Sequence, residues 1–412
     1  MKKEVITYLS GRFVPAIVNL AVVILAIRYL GPVEYGRYSL LLYTVLITVT
    51  LTFHGIQVSI LKFLGHASRE NQIADNRFYT LTFFSAIIST LIVVLVGVFY
   101  FHLLTVELGL VALFTFLNHF YLFHMAVLQV HHRNIRNALM EGMAQVVTLV
   151  VLLTGLFFFR WHAAPLMFLA LAGGLAGALL LRLITRVKGL VNLDRTKLYW
   201  DARFVGKVFD YGYGLALWLF FSHLIMAADR FVLTGYLGYH DSGSYAAIKD
   251  LISKAVIFTT LPIYLSYQSK IADRWHSHHK EEAWSVVKEA ISFQVLVCIL
   301  VFIVFMVIKS MIISRLLNIP EMEQWGIYLP LLIGGFLWQT ALLLQRFLEL
   351  FYKPLYMLVA IGACALINIV LNLVMIPYYG IVASPVIMLG TAMLYTGFLS
   401  LLLVTGRKRL LE

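Results

Sequence analysis

YLGPVEYGRY, running from Tyr29 to Tyr38, returns 207 residues later as YLGYHDSGSY, from Tyr236 to Tyr245. In both copies Tyr-Leu-Gly is followed by an acid three residues on, a second glycine two later and a tyrosine two later again. The shared positions are Gly31, Glu34, Gly36 and Tyr38 in the first copy, and Gly238, Asp241, Gly243 and Tyr245 in the second. Each copy closes one long apolar run and opens another. A repeat at half the chain length marks a duplicated unit, and in membrane transporters such repeats meet at the transport path.

Working outward from the two copies, apolar runs of membrane-crossing length fill the chain. Hydrophobic residues make up 61% of the sequence, charged residues only 13%, and the mean hydropathy is +0.88, which excludes an ordinary soluble domain. Spans are expected near 10–30, 38–61, 78–101, 108–131, 136–159 and 163–184, then 208–235, 245–268, 285–308, 325–350, 355–377 and 380–404. The fold class is therefore all-α and polytopic, with about twelve transmembrane helices in two pseudo-symmetric six-helix lobes. The expected lobes are 1–184 and 208–412, joined by a segment at 185–207 that mixes basic residues with Leu190, Trp200 and Phe204. That composition suits an amphipathic stretch lying on an anionic leaflet. Lys2 and Lys3 before the first apolar run have the look of a signal peptide, but Arg28 interrupts the end of that run and further spans follow, so the run is read as a retained helix.

The net charge of +12 does not point to nucleic acid, because the basic residues alternate by loop. One side of the membrane carries Lys62, Arg69, Arg77, Arg133, Arg136, the basic residues of 182–207, Lys270, Arg274, Lys280, Lys353 and Arg407 to Arg409. The other has only Arg37, Arg160, Lys309 and Arg315. The positive-inside rule then places both termini in the cytoplasm. Cys298 and Cys364 lie inside apolar runs and read as packing residues. His131, His132 and the tract from His276 to His279 read as solvated loop histidines, so no metal site is expected. The longest outer loop, 309–324, lacks a plausible nucleophile and base, which argues against an enzyme such as a membrane glycosyltransferase or polymerase.

Charges inside spans cost several kcal/mol if they face lipid, so they mark cavities or partner helices. Asp229 and Arg230 precede the second motif copy, and Lys249, Asp250 and Lys254 follow it. Three cations thus meet two acids in one hairpin. Pairing of Asp250 with Lys254, one helical turn apart, is the plain alternative. The surplus positive charge is suited to a phosphate group that enters and leaves. Arg12 and Arg28, near the two ends of the first span, join Arg230, Lys249 and Lys254 as candidate anion-binding cations, although both can snorkel to the interface. Asn368 and Asn372 lie one turn apart at a depth close to that of Asp229. The three together suit a sodium ion, or a proton on Asp229, while the amides alone suit helix-to-helix hydrogen bonding. His54, Gln57, Asn118, His119, His124, His223 and Gln339 scatter further polar groups through the spans.

The runs GRFVPAIVNLAVVILAIRYLGPVEYGRYSLL and MAADRFVLTGYLGYHDSGSYAAIKDLISK resemble the corresponding helix pairs of Wzx-type polysaccharide flippases, in the multidrug/oligosaccharidyl-lipid/polysaccharide (MOP) exporter superfamily. Elsewhere the likeness is one of hydropathy. The resemblance implies two lobes around a central cavity that opens alternately to each side. It also implies an undecaprenyl-pyrophosphate-linked oligosaccharide as substrate, moved from the inner to the outer leaflet of a bacterial inner membrane, with polysaccharide assembly enzymes as partners and no cofactor beyond a coupling ion, H+ or Na+. Lipid II flippases of that superfamily use a cation site between the seventh and eleventh helices, which places Asp229, Asn368 and Asn372 in that role by resemblance. Asn372 stands where a second acid would be expected, and Gly214 where the seventh helix commonly has proline. A multidrug antiporter of the same superfamily is the nearest rival, and would call for an acid-dominated cavity.

Overall fold

A computed structural model describes residues 2–64, 72–103, 105–131, 133–185, 200–277, 280–350 and 354–411. All its regular elements among these residues are helical. They are α1 (Lys2–Val49), a π-helical turn at Thr50–His54, α2 (Gly55–Phe63), α3 (Gln72–Phe99), α4 (Thr105–Val130), α5 (Asn134–Phe157), α6 (Ala164–Ile184), α7 (Ala202–His276), α8 (Lys280–Ser310), α9 (Trp325–Leu348), α10 (Pro354–Tyr379) and α11 (Ala383–Leu411).

Nine of the described helical stretches are long and apolar enough to cross a membrane, and three of them run to 47, 74 and 51 residues. Each of the three holds two crossings. They break at Gly31, at Gly238 and at the 3₁₀ turn Gly380–Val382, which gives twelve segments. Gly31 has φ 82°, ψ 169° and Gly238 φ 86°, ψ 178°, a conformation open to glycine and costly for a residue with a Cβ. Pro32 then stands at the start of the next helical segment, where its missing N–H is no loss. The repeated motif is therefore a repeated turn.

The second glycines serve a different end. A Cβ on Gly36 would lie 2.4 Å from the Tyr239 carbonyl oxygen, and one on Gly243 would lie 1.8 Å from that of Pro32. Tyr239 is Pro32 moved by the repeat of 207, so the two motif copies pack on each other backbone to backbone through equivalent atoms. The echo continues at the next residue. Arg37 Nη2 meets Glu107 Oε2 at 3.1 Å, and Ser244 Oγ donates to Glu321 Oε1 at 3.2 Å.

The chain divides into two compact units, residues 1–22 with 37–223 and residues 23–36 with 224–412. The division falls inside α1 and α7, so the stretch just before the first motif packs with the second unit. The expected linker at 185–207 is described at Thr185 and from Trp200 onward, where it leads into the start of α7. Asp201 Oδ1 accepts the Arg203 and Phe204 N–H groups as an N-cap, and Arg77 pairs with its other oxygen at 3.1 Å. On α8, Val295, Leu296, Ile299, Leu300, Ile303, Val304 and Val307 are all at least half exposed along one helical face, the arrangement of a helix bathed in lipid. In the turn after α8, Lys309 Nζ reaches Glu323 Oε1 at 2.7 Å, and Ser310 and Ser314 donate to the same carboxylate. These hydrogen bonds, Lys309's first, hold the Glu323 carboxyl down at about 2.

Candidate functional site

The five charges of the second hairpin do converge, but as closed pairs. Arg230 and Asp250 form a two-pronged ion pair, Nη2 to Oδ1 at 2.5 Å and Nη1 to Oδ2 at 3.2 Å, with the Arg230 side chain 1% exposed. Lys249 Nζ donates to Asp229 Oδ2 at 2.6 Å and to the Met226 carbonyl at 2.8 Å. Two tyrosines complete the set. Tyr35 donates to Asp250 Oδ2 and Tyr245 to Asp229 Oδ2, each at 2.8 Å, and the Arg230 N–H caps Asp229 Oδ1 at 2.9 Å.

The physical reason is the low dielectric. A buried carboxylate left without a cation costs several kcal/mol, so pairing precedes any other use of these side chains. This corrects the expectation of three cations open to a ligand: Arg230 and Lys249 hold carboxylates, and Asp229 is held by Lys249 and Tyr245. The alternative pairing of Asp250 with Lys254 alone gives way to the Arg230 fork. Asp250 keeps a 17% exposed side chain, and Lys254, one turn further along the same helix, is half-buried beside this pair. The five charges sum to one positive, and Lys254 is the cation at the edge of the cluster.

The repeat does not extend to these charges. Moved back by 207 residues, Asp229, Arg230, Lys249 and Asp250 fall on Val22, Val23, Leu42 and Tyr43. The twofold fold therefore stands without them in the first unit. Tyr35 was not legible as a member, because it lies 215 residues from its partner Asp250. Tyr245 had one signal, its place as the last residue of the motif.

The other expected residues have hydrogen-bond partners outside the quartet where they are described. Arg28 is exposed and donates to the Arg315 carbonyl at 3.5 Å, and the side chain of Arg12 lies outside the described residues. Asn368 Nδ2 donates to Thr391 Oγ1 at 2.9 Å, so it ties α10 to α11. Asn372 Nδ2 donates to Asn368 Oδ1 at 3.0 Å and to its carbonyl at 2.8 Å, while Asn372 Oδ1 is buried with no hydrogen bond among the described residues. A separate cavity of about 650 Å³ lies between the ends of α7, α8, α9 and α11, lined by Trp275, Trp284, Lys288, Phe347 and Thr396 among others. None of the expected site residues lines it. No cluster of metal-ligating side chains occurs among the described residues.

In the first unit the π turn Thr50–His54 carries its own polar set. The Thr50 hydroxyl lies 3.2 Å from His223 Nδ1, and His54 Nδ1 lies 3.2 Å from Gln57 Oε1. Thr52 and Ser89 are hydrogen-bonded, and Ser89 Oγ lies 2.9 Å from His119 Nε2.

Comparison with known proteins gives the fold and the family. A MOP superfamily transporter from Pyrococcus furiosus, described as having a binding pocket of reversed polarity, superposes with a TM-score of 0.70 at 13% identity, over 98% of this chain and 94% of that one. The lipid II flippase MurJ, in an inward closed conformation, gives 0.72 at 12% identity over 97% and 87%. An outward-facing multidrug resistance MATE transporter gives 0.70 at 14% over 98% and 94%. At such identities the likeness is one of fold, and the fold is that of the MOP superfamily. No curated protein matches by sequence. The polysaccharide biosynthesis protein family does match, over residues 1–267, a stretch that includes both motif copies and the charged hairpin. This multi-pass membrane chain, with the MOP fold and that match over more than half its length, belongs to the polysaccharide biosynthesis protein family.

Proposed function

We propose that this protein is a flippase for a glycan carried on a polyprenyl pyrophosphate, undecaprenyl in a bacterial inner membrane, and that it moves this lipid from the inner to the outer leaflet by alternating access. Both termini face the cytoplasm in this reading, and the glycan is supplied and used by polysaccharide assembly enzymes. The observation that carries the proposal is the charge of the second hairpin, where Arg230, Lys249 and Lys254 meet Asp229 and Asp250 for a sum of one positive, with Arg230 closed on Asp250 and Lys249 on Asp229. Pyrophosphate needs a cation that can change partners without leaving a buried charge bare. Arg230 and Lys249 meet that need poorly, because their departure would strand Asp250 or Asp229, and Lys254 is the remaining cation of the hairpin. Arg28 and the basic residues of the cytoplasmic side gather the headgroup at the membrane surfaces.

The same observation weighs against export of organic cations. A multidrug antiporter needs a carboxylate to receive the drug, and both acids here are held by charge-assisted hydrogen bonds. An enzyme is disfavoured as well, since the outer turn uses Glu323 to latch Lys309, Ser310 and Ser314.

Complementation of a flippase-deficient strain tests the reading, scored by surface polysaccharide at matched protein levels. Lys254→Ala is expected to lower export about tenfold or more, the order of one lost charge-assisted contact, and Lys254→Arg to restore most of it. Full export by Lys254→Ala would sink the headgroup role. Acquired resistance to cationic dyes, with no polysaccharide at the surface, would favour the antiporter.

A further inference from the structure

The first unit presents a second set of titratable groups at mid-membrane depth. No Asp, Glu, Lys or Arg occurs in residues 38–61, 78–103, 108–131 or 211–228, which supply the π turn and the helices packed around it. Histidine is the one side chain there that changes charge near neutral pH. His54 sits eight residues before Lys62, about 12 Å in from that end of the helix. His223 sits 15 residues before the Gly238 turn, about 22 Å from the opposite surface.

Hydrogen bonding separates these two histidines from His119. A carbonyl oxygen can only accept, so His119 Nδ1 must donate to Thr115 O at 2.9 Å, and Nε2 is then the acceptor for the Ser89 hydroxyl. Both nitrogens of that ring are in use and it is fully buried, so it has no nitrogen open to a proton from water. His223 Nδ1 donates in the same way to Leu219 O at 3.0 Å, and Thr50 Oγ1 beside it donates to Leu46 O at 2.7 Å. His54 Nδ1 donates to the Gln57 amide oxygen at 3.2 Å. Nε2 of His54 and of His223 carries no hydrogen bond among the described residues, and neither is among the buried polar atoms that lack a partner. Each ring is half-buried, held through Nδ1, with its proton-accepting nitrogen open.

The backbone brings the two together. The π turn adds an extra residue to the helix between Val49 and Gly55, a feature that recurs at functional sites. Immediately after it, Gly55 meets Gly212 so closely that a Cβ on Gly212 would lie 2.2 Å from the Gly55 carbonyl oxygen. Thr50 and Gln57, from the same helix as His54, touch the pair directly, and Thr52 on that helix leads through Ser89 of α3 to His119 of α4. His54 lies within the field of His223.

We propose that His54 and His223 form a proton-binding site of the first unit, holding one proton between two open Nε2 atoms, and that this proton is the coupling ion of transport. The proton enters from water onto either Nε2 and leaves to water from the same atom. Like charge keeps the second ring neutral while the first is protonated. Coupling through Asp229 would instead require its ion pair with Lys249 to be undone. The coupling half of the proposal rests on the transport reading; the binding half does not.

The test has two arms. Full-length protein with ¹³C-labelled histidine, in phosphatidylethanolamine and phosphatidylglycerol nanodiscs, is followed by NMR between about pH 8 and 5, the range in which histidine titrates. The His54 and His223 signals, assigned from His54→Gln and His223→Gln, are expected to take up one proton between them. Each variant is expected to let the remaining ring titrate fully, while His119 stays silent. Two rings that stay neutral throughout, or that titrate without regard to each other, overturn the site. In the flippase-deficient strain, the double variant His54→Gln/His223→Gln is expected to lose about a hundredfold in surface polysaccharide, the effect of one general proton-transfer group at its lower bound. Export that stays at the wild-type level and still collapses when the proton gradient is dissipated removes the coupling role alone. Failure of the wild-type chain to restore export counts against the flippase reading and leaves the NMR result to decide the proton site.

Discussion

Single residues in this chain act through what they would leave behind. Asp229 and Lys249 are both almost fully buried, and the removal of either strands the other's charge away from water. Asp229→Leu or Lys249→Met alone is therefore expected to cost about 3–5 kcal/mol of stability. The double replacement is expected to return close to the parent, because an apolar pair of similar volume fits the same space. A double-mutant cycle on detergent-solubilised protein measures this, and additive losses would show that the pair is not coupled. The pairing itself was only half legible. Sequence spacing put five charges into one hairpin, but Asp250 lies within reach of Lys254 on its own helix and of Arg230 across the turn. The fork geometry of guanidinium and carboxylate decided between them.

Among the elements, the two motif turns use their glycines for different purposes. Gly31 and Gly238 supply a positive φ with open space where a Cβ would go, so alanine there is expected to cost roughly 1–2 kcal/mol and to disturb one turn only. Gly36 and Gly243 lie in the contact between the copies, so alanine there must push carbonyls apart. Hydrogen exchange separates the cases. Gly243→Ala is expected to speed exchange in 32–36 and 239–243 together, whereas Gly31→Ala is expected to affect only its own turn. Equal patterns for the two variants would contradict the packing role. Both copies were recognisable in the sequence as turns; that they rest on each other was not, because the contact joins residues about 200 apart. The π turn at Thr50–His54 was likewise hidden within a run that reads as one straight helix.

At the scale of the molecule, twelve segments and the alternation of basic loops predict a membrane topology with both termini in the cytoplasm. With Cys298 and Cys364 replaced by alanine, a single cysteine introduced by Asn318→Cys is expected to react with an impermeant reagent on intact cells. One introduced by Lys270→Cys is expected to react only after permeabilisation. The reverse pattern would invert the orientation, and with it the direction of any lipid movement. Charge is distributed as unevenly as the loops are. The second unit holds its mid-membrane charges as Asp, Arg and Lys, while the first holds only histidine. A duplicated fold in this way carries two different sets of titratable groups, acid–base pairs in one unit and histidines in the other.

The sequence by itself determined the class of protein, the number of crossings, the repeat and the presence of intramembrane charge. Each of these follows from hydropathy or from identity at a fixed spacing, which a linear chain displays directly. Tertiary structure alone decided which charges neutralise one another, that Tyr35 and Tyr245 complete the pairs, and that His54 and His223 keep an open nitrogen while His119 does not. Those outcomes depend on distances of about 3 Å between residues far apart in the chain, set by helix packing and by the cost of an unpaired polar group in a medium without water.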